Sequence, residues 1–233
     1  MHEKHILRQF LTGARTGLPV AVGYVPIAVA FGTLATRASL SPQETVLMSA
    51  LVFAGASQFM AVSMILSGVG GLQIVIATLF INLRHFVMSM AVHHSLQKTS
   101  LAWRGLLSFG VTDETFALLT LQDAGEQTRH THVFAAGLIG MAYMGWVAGT
   151  AIGSLGAQVI PPAIGDAMTI GLYAMFIGLL MPHVRRSRRI AFIAVVSMIL
   201  NTALSAVMSA GWAIVLSTVL GASLGLLGGA SEA

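Results

Sequence analysis

One arginine constrains this chain more than any other residue. Arg84 lies inside the run Gly70–Val92, GGLQIVIATLFINLRHFVMSMAV, which is 23 residues long and otherwise almost wholly apolar. About 20 such residues cross a bilayer as a helix. A cation near the middle of a membrane costs several kcal/mol even on lenient scales, so it persists where it is paired or lines a wet cavity. Arg84 therefore marks a polar site within a membrane protein. His85 follows it directly, and Asn82 precedes it by two positions.

The rest of the chain agrees with a membrane setting. Hydrophobic residues make up 56% and charged residues 9%, against about 25% charged in soluble domains. There is no cysteine, hence no disulfide framework and no thiolate metal site. The histidines at 93–94 and at 130 and 132 sit at segment ends and lack further ligands, so no metal or other cofactor is expected. The basic residues flank apolar runs, a pattern that orients a protein in a membrane, and no nucleic-acid partner is expected. The N-terminal stretch resembles a signal peptide, but its apolar run is too long for one and more spans follow, so cleavage is not expected.

Eight apolar segments can be read: 15–36, 45–66, 70–93, 101–121, 132–157, 165–183, 189–209 and 211–229. The fourth carries Arg104, Asp113 and Glu114, and Gly105 and Gly110 are able to break it. The positive-inside rule decides whether it crosses. With eight spans, the N-terminal Lys4, Arg8 and Arg15 share the cytoplasmic side with Arg129 and the cluster Arg185, Arg186, Arg188 and Arg189. Were the fourth segment a re-entrant half-helix that does not cross, that cluster would face out. The expectation is an all-α integral membrane protein of about eight transmembrane helices, one polytopic domain over 1–233, lipid around it and both termini cytoplasmic.

Some helices are expected to be broken. Pro19, Gly23, Pro26 and Gly32 interrupt the first segment, and Gly171 and Pro182 interrupt the sixth. Proline removes a backbone donor and glycine loosens a helix. Paired broken helices suggest inverted three-helix repeats, here 15–93 and 165–229 joined by 101–157. Gly55, Ala56 and Ser57 also permit unwinding beside Gln58, midway along the second segment.

The candidate site residues are Arg84, Asp113, Glu114, Gln58, Asn82 and His85. Segments three and four are neighbours in sequence, so Arg84 can reach one of the two carboxylates. Two readings stand. In one, the pair is structural and makes a buried arginine tolerable. In the other, one carboxylate pairs with Arg84 while the second holds a coupling proton, since a desolvated carboxyl group retains its proton more readily. Gln58 either orients a zwitterionic solute or makes an interhelical hydrogen bond. No nucleophile lies in an obvious motif and no phosphate-cradling loop is present, so neither an enzyme nor an ATP-driven pump is expected.

Four strings carry a resemblance: GYVPIAVAFG (Gly23–Gly32), FAGASQF (Phe53–Phe59), INLRH (Ile81–His85) and TDETFAL (Thr112–Leu118). Together and in this order they resemble the AzlC family, the large subunit of bacterial branched-chain amino acid exporters. The resemblance implies an inner-membrane permease exporting valine, leucine or isoleucine, with methionine. It also implies a small hydrophobic AzlD-like membrane subunit and drive from the proton-motive force. Asp166 is followed by Ala167 where the family pattern leads to an acidic-aromatic pair. An uncoupled channel or facilitator for small polar solutes is the alternative class.

Overall fold

The computed structural model describes the chain apart from residues 1, 97–98, 124–131, 162, 164–169, 171–176, 178–179, 182–183, 186, 209 and 228–233. The elements used below are α1 (His2–Arg37), α2 (Pro42–Val52), α3 (Gly55–Leu66), α4 (Gly71–Ser95), α5 (Leu101–Phe109), α6 (Asp113–Asp123), α7 (His132–Leu155), α8 (Arg188–Ser205) and α9 (Ala210–Leu227). The described residues contain no strand. Helices are what an apolar chain with few polar side chains must form in lipid, because only a helix satisfies its own backbone.

Parallel packing of α1 on α7 is the spine of the molecule. A Cβ added at Gly13 would run into the backbone of Phe134, one at Gly17 into Leu138 and one at Gly32 into Thr150 and Ser154. From the other side, Gly145 meets Ala21, Gly149 meets Val25 and Gly153 meets Val29. Residue numbers rise together on both helices, so the two run in the same direction. Stripes of small residues let membrane helices approach this closely, where dispersion and backbone contacts substitute for a hydrophobic drive.

The sequence led us to expect breaks at Pro19, Gly23, Pro26 and Gly32. That expectation is corrected, since α1 runs unbroken from His2 to Arg37 with both prolines inside it. Each proline forfeits one helical hydrogen bond, but the adjoining α7 holds the helix on course along its length. Gly32 serves close packing, whereas a side chain at Gly23 would meet nothing within 4 Å. Gly171 and Pro182 lie outside the described residues, and the proposed repeat 165–229 rests on them.

The breaks are elsewhere, in segments two and four. Segment two starts as α2, antiparallel to α7, with the Ser49 hydroxyl 2.8 Å from that of Thr150 and Tyr143 donating to the Ala50 carbonyl. At Phe53 the backbone turns left-handed (φ 41°, ψ 48°), and Ala54 follows at φ −140°. A left-handed non-glycine residue costs about 1–2 kcal/mol, here set against full burial of the phenyl ring. α3 then returns beside α2. Gln58 donates to Ser49 Oγ at 2.9 Å, a contact that a straight helix would forbid, because nine residues span about 13 Å. On α1, Tyr24 faces Phe53 and Phe31 faces Phe59, so α3 climbs alongside α1.

Segment four does the same from the opposite end. α5 is antiparallel to α4: His85 pairs with Val111, Ser89 with Ser108 and His93 with Arg104. The chain turns through Gly110–Thr112. Leu119 of α6 then lies in one cluster with Leu107, Leu96, Phe134 and Leu138, so α6 returns toward the end from which α5 came. Thr112 and Thr115 cap this helix reciprocally, Thr112 N–H donating to Thr115 Oγ1 at 2.9 Å and Thr115 N–H to Thr112 Oγ1 at 3.4 Å.

Segments 45–66 and 101–121 were each expected as one span; in the structure each is two short helices folded back on one another as a hairpin. Four described helices are long and apolar enough to cross a membrane, Lys4–Arg37, Gly71–His93, His132–Leu155 and Arg188–Ser205. α9 is antiparallel to α8, with Ser217 beside Asn201 (3.4 Å) and Gly221 against Ser197.

Candidate functional site

The tips of the two hairpins meet halfway along the bundle, and a pocket partly open to the surface lies between them. One wall is the α2–α3 tip, Phe53 to Ala56. The other is the α5–α6 tip, Thr112 to Glu114. α4 contributes Arg84 and His85, α1 contributes Tyr24 and α7 contributes Trp146.

The Arg84 guanidinium bridges to Asp113, Nη1 to Oδ2, at 2.7 Å. Glu114 accepts a hydrogen bond from the Tyr24 hydroxyl. The Thr112 hydroxyl is 2.8 Å from the same phenolic oxygen. A phenol has one proton, so with that proton on Glu114 it is Thr112 that donates to Tyr24. His85 Nδ1 lies 3.0 Å from the Val111 carbonyl. That geometry assigns the proton of the neutral ring to Nδ1. Nε2 is then an acceptor, and it is buried without a hydrogen-bond partner among the described residues.

Both hairpins point the N-terminus of their second helix, α3 and α6, at this pocket. The first N–H groups of a helix have no partner within it and carry partial positive charge. The pocket thus combines a guanidinium, two carboxylates, two helix N-termini and an imidazole acceptor. Beneath them lies an aromatic floor. Tyr24 stands edge-on to Phe53 (6.4 Å between centroids) and to Trp146 (5.6 Å).

Of the residues singled out in the sequence, Arg84, His85, Asp113 and Glu114 come together here. Gln58 does not line the pocket. It is fully buried, accepts from Trp146 Nε1 at 3.0 Å and from the Ala54 N–H at 3.3 Å, and donates to Ser49. Asn82 also stands apart, with its Oδ1 buried and unpartnered among the described residues. Sequence reasoning missed Tyr24, Phe53, Thr112 and Trp146. The first three sit within the GYVP, FAGASQF and TDETFAL strings, which was a usable signal. Trp146 sits among glycines and alanines of α7 with nothing local to distinguish it.

Comparison with known proteins places the whole pocket within one family. The family described as AzlC protein matches residues 19–160, a stretch that contains every pocket residue. The inner membrane protein YgaZ of Escherichia coli K12 is 30% identical over 189 residues, covering 79% of this chain and 77% of its own. An uncharacterized membrane protein of Archaeoglobus fulgidus is 32% identical, covering 79% and 80%. The branched-chain amino acid transport protein AzlC of Bacillus subtilis is 26% identical, covering 59% and 54%. No solved structure matches the chain. With its motifs, its apolar helices and these relatives, the chain belongs to the AzlC family of membrane proteins.

Proposed function

We propose that this protein is the large subunit of an inner-membrane exporter of valine, leucine, isoleucine and methionine, driven by the proton-motive force and working with a small AzlD-like subunit. One observation carries the reading. An internal ion pair, Arg84–Asp113, lies between two hairpin tips over an aromatic floor. A zwitterion can insert into that pair, its carboxylate taking the Arg84 fork and its ammonium taking Asp113. One ion pair then becomes two, with no net charge added in either state. Bidentate guanidinium–carboxylate geometry favours the exchange. Because Asp113 pairs with Arg84, Glu114 is the carboxylate that carries the coupling proton, under control of the Tyr24 hydroxyl.

The membrane arrangement we propose has α1, α4, α7, α8 and α9 as crossings, together with the apolar run 165–183 read from the sequence alone. The hairpins α2–α3 and α5–α6 enter from opposite faces. The parallel α1 and α7 support it, since one crossing between them, α4, restores their common direction. Charge supports it too. By their places in the sequence, Lys4, Arg8, Arg15, Lys98, Arg104, Arg129 and the cluster Arg185, Arg186, Arg188 and Arg189 share the cytoplasmic side. Arg37 alone faces out and Arg84 lies within. That is a sharper positive-inside bias than eight crossings would give. Both termini remain cytoplasmic.

The test is valine efflux from cells lacking their own exporters and loaded with valine-containing dipeptides. The chain is expressed with and without a small AzlD-like membrane subunit, and as Arg84→Ala. Efflux that rises with the pair, runs uphill only while the proton gradient lasts and disappears in Arg84→Ala at equal membrane levels is the expected result. Efflux that ignores the gradient and always runs downhill means an uncoupled facilitator.

A further inference from the structure

We infer that Trp146 is the specificity-determining residue of this pocket, and that Gln58 and Gly55 are the positioning residues that fix its indole. The inference rests on the pocket being the transport site. The indole forms part of the floor, below the polar groups that would hold a carboxylate and an ammonium. Whatever hangs from the substrate's α-carbon must come to rest on this aromatic surface.

The indole is held from three sides. Its Nε1–H donates to Gln58 Oε1 at 3.0 Å. The Gln58 amide donates to Ser49 Oγ at 2.9 Å, Ser49 pairs with Thr150 Oγ1 at 2.8 Å, and Thr150 donates to the backbone carbonyl of Trp146 at 2.9 Å. This ring of hydrogen bonds begins and ends on the same tryptophan, and all its side chains are buried. A closed and fully satisfied polar network of this kind fixes one rotamer. Phe31 stacks on the indole at 6.2 Å and 24°.

The third constraint is at the hairpin tip. A Cβ on Gly55 would come within 2.7 Å of Trp146 Cη2, with Cζ2 and Cζ3 at 3.1 and 3.3 Å. The tip can therefore approach only because position 55 has no side chain, and the six-membered ring of the indole abuts the tip itself. The depth available to a substrate side chain is set where Gly55 and Trp146 meet. A locked indole makes that depth fixed instead of adaptable, which discriminates by side-chain length.

The experiment measures kcat/KM for alanine, valine, leucine and phenylalanine with the chain and its small partner in proteoliposomes. Gly55→Ala, by placing a methyl group against the indole at the tip, is expected to lower the leucine-to-alanine ratio about tenfold, the effect of a methylene or two against an apolar wall. Trp146→Phe, a smaller ring without the N–H tether, is expected to raise the phenylalanine-to-valine ratio about tenfold. Gln58→Met, which frees the indole while keeping side-chain length, is expected to flatten the profile across all four. Unchanged ratios in Gly55→Ala and Trp146→Phe, with transport still lost in Arg84→Ala, overturn the assignment of Trp146 and leave the transport site standing. Normal transport in Arg84→Ala overturns both. A purely structural tryptophan would scale all four substrates equally, which also counts against the inference.

Discussion

Breaking the Arg84–Asp113 bridge one side at a time separates its structural role from its transport role. The charges are 2.7 Å apart. Coulomb's law gives about 6 kcal/mol at an effective dielectric constant of 20 and about 1.5 kcal/mol in bulk water. The two side chains are 36% and 29% exposed, so solvent screens them and the lower half of that range applies. We expect a coupling energy of about 2 kcal/mol. Arg84→Met strands a carboxylate between the hairpins. Asp113→Asn strands a guanidinium, which insertion scales place at about 2.5–3.5 kcal/mol at a helix centre. Each single variant should lose about 2–3 kcal/mol, and the double variant should lose about 2 kcal/mol less than the sum of the singles. Unfolding of the purified protein in mild detergent, titrated with a denaturing detergent, reads these differences. Strictly additive losses would refute the reasoning, because the pair would then contribute nothing as a pair. Valine efflux supplies the second axis. The double variant should be about as stable as either single variant and remain without transport, whereas restored transport would reduce the bridge to scaffolding.

Further outcomes follow from the same geometry. The chain has no cysteine, so a single cysteine at Gln43 or Ser100 in intact cells reports topology: a membrane-impermeant thiol reagent should label Gln43→Cys and spare Ser100→Cys, while eight crossings would expose both. Gly149→Leu should drive α1 from α7, since even a Cβ there comes within 2.8 Å of the Val25 carbonyl oxygen, and a loss of about 3 kcal/mol or failure to accumulate in the membrane is expected. Tyr24→Phe removes the donor to Glu114 and should shift the pH profile of efflux while leaving exchange of labelled for unlabelled valine intact; an unshifted profile removes Glu114 as the coupling group. At the start of α2, the hydroxyl and N–H of Ser41 donate to the Glu44 carboxylate and hold its pKa below the usual range. A depressed pKa in the folded state means the capping interaction is complete above the ordinary value of about 4.3 and is lost as pH falls through the lower folded one. Hydrogen-exchange protection in the first turn of α2, taken relative to the intrinsic rate at each pH, should therefore fall on acidification in that window, and Glu44→Gln should remove the dependence.

The sequence by itself determined that this is a helical membrane protein with a polar site at Arg84. Length and hydropathy decide the first, because lipid offers the backbone no other partner. The cost of an unpaired intramembrane cation decides the second, and it also pointed to Asp113 and Glu114 as the carboxylates within reach. The break at Gly110 was visible as a small residue amid apolar ones, whereas the break in segment two falls at Phe53–Ala54, just before the Gly55–Ser57 stretch expected to unwind, which is helical. The direction of the chain after each break was not visible. Charge counting could not supply it: if one segment does not cross, the arginine cluster changes sides, but if two do not, it stays where it was. Prolines misled for a related reason. Pro19 and Pro26 weaken α1 locally, yet the helix continues through both, packed along the glycine stripe of α7, over a hundred residues away in sequence. The aromatic floor belongs wholly to the tertiary structure. Trp146 becomes part of the site only because α1 and α7 run parallel and bring it beside Tyr24, and because the returning hairpin sets Gln58 and Gly55 against its ring. Local sequence carries the chemistry of each group; the long-range packing of helices on opposite sides of a turn decides which groups share a pocket.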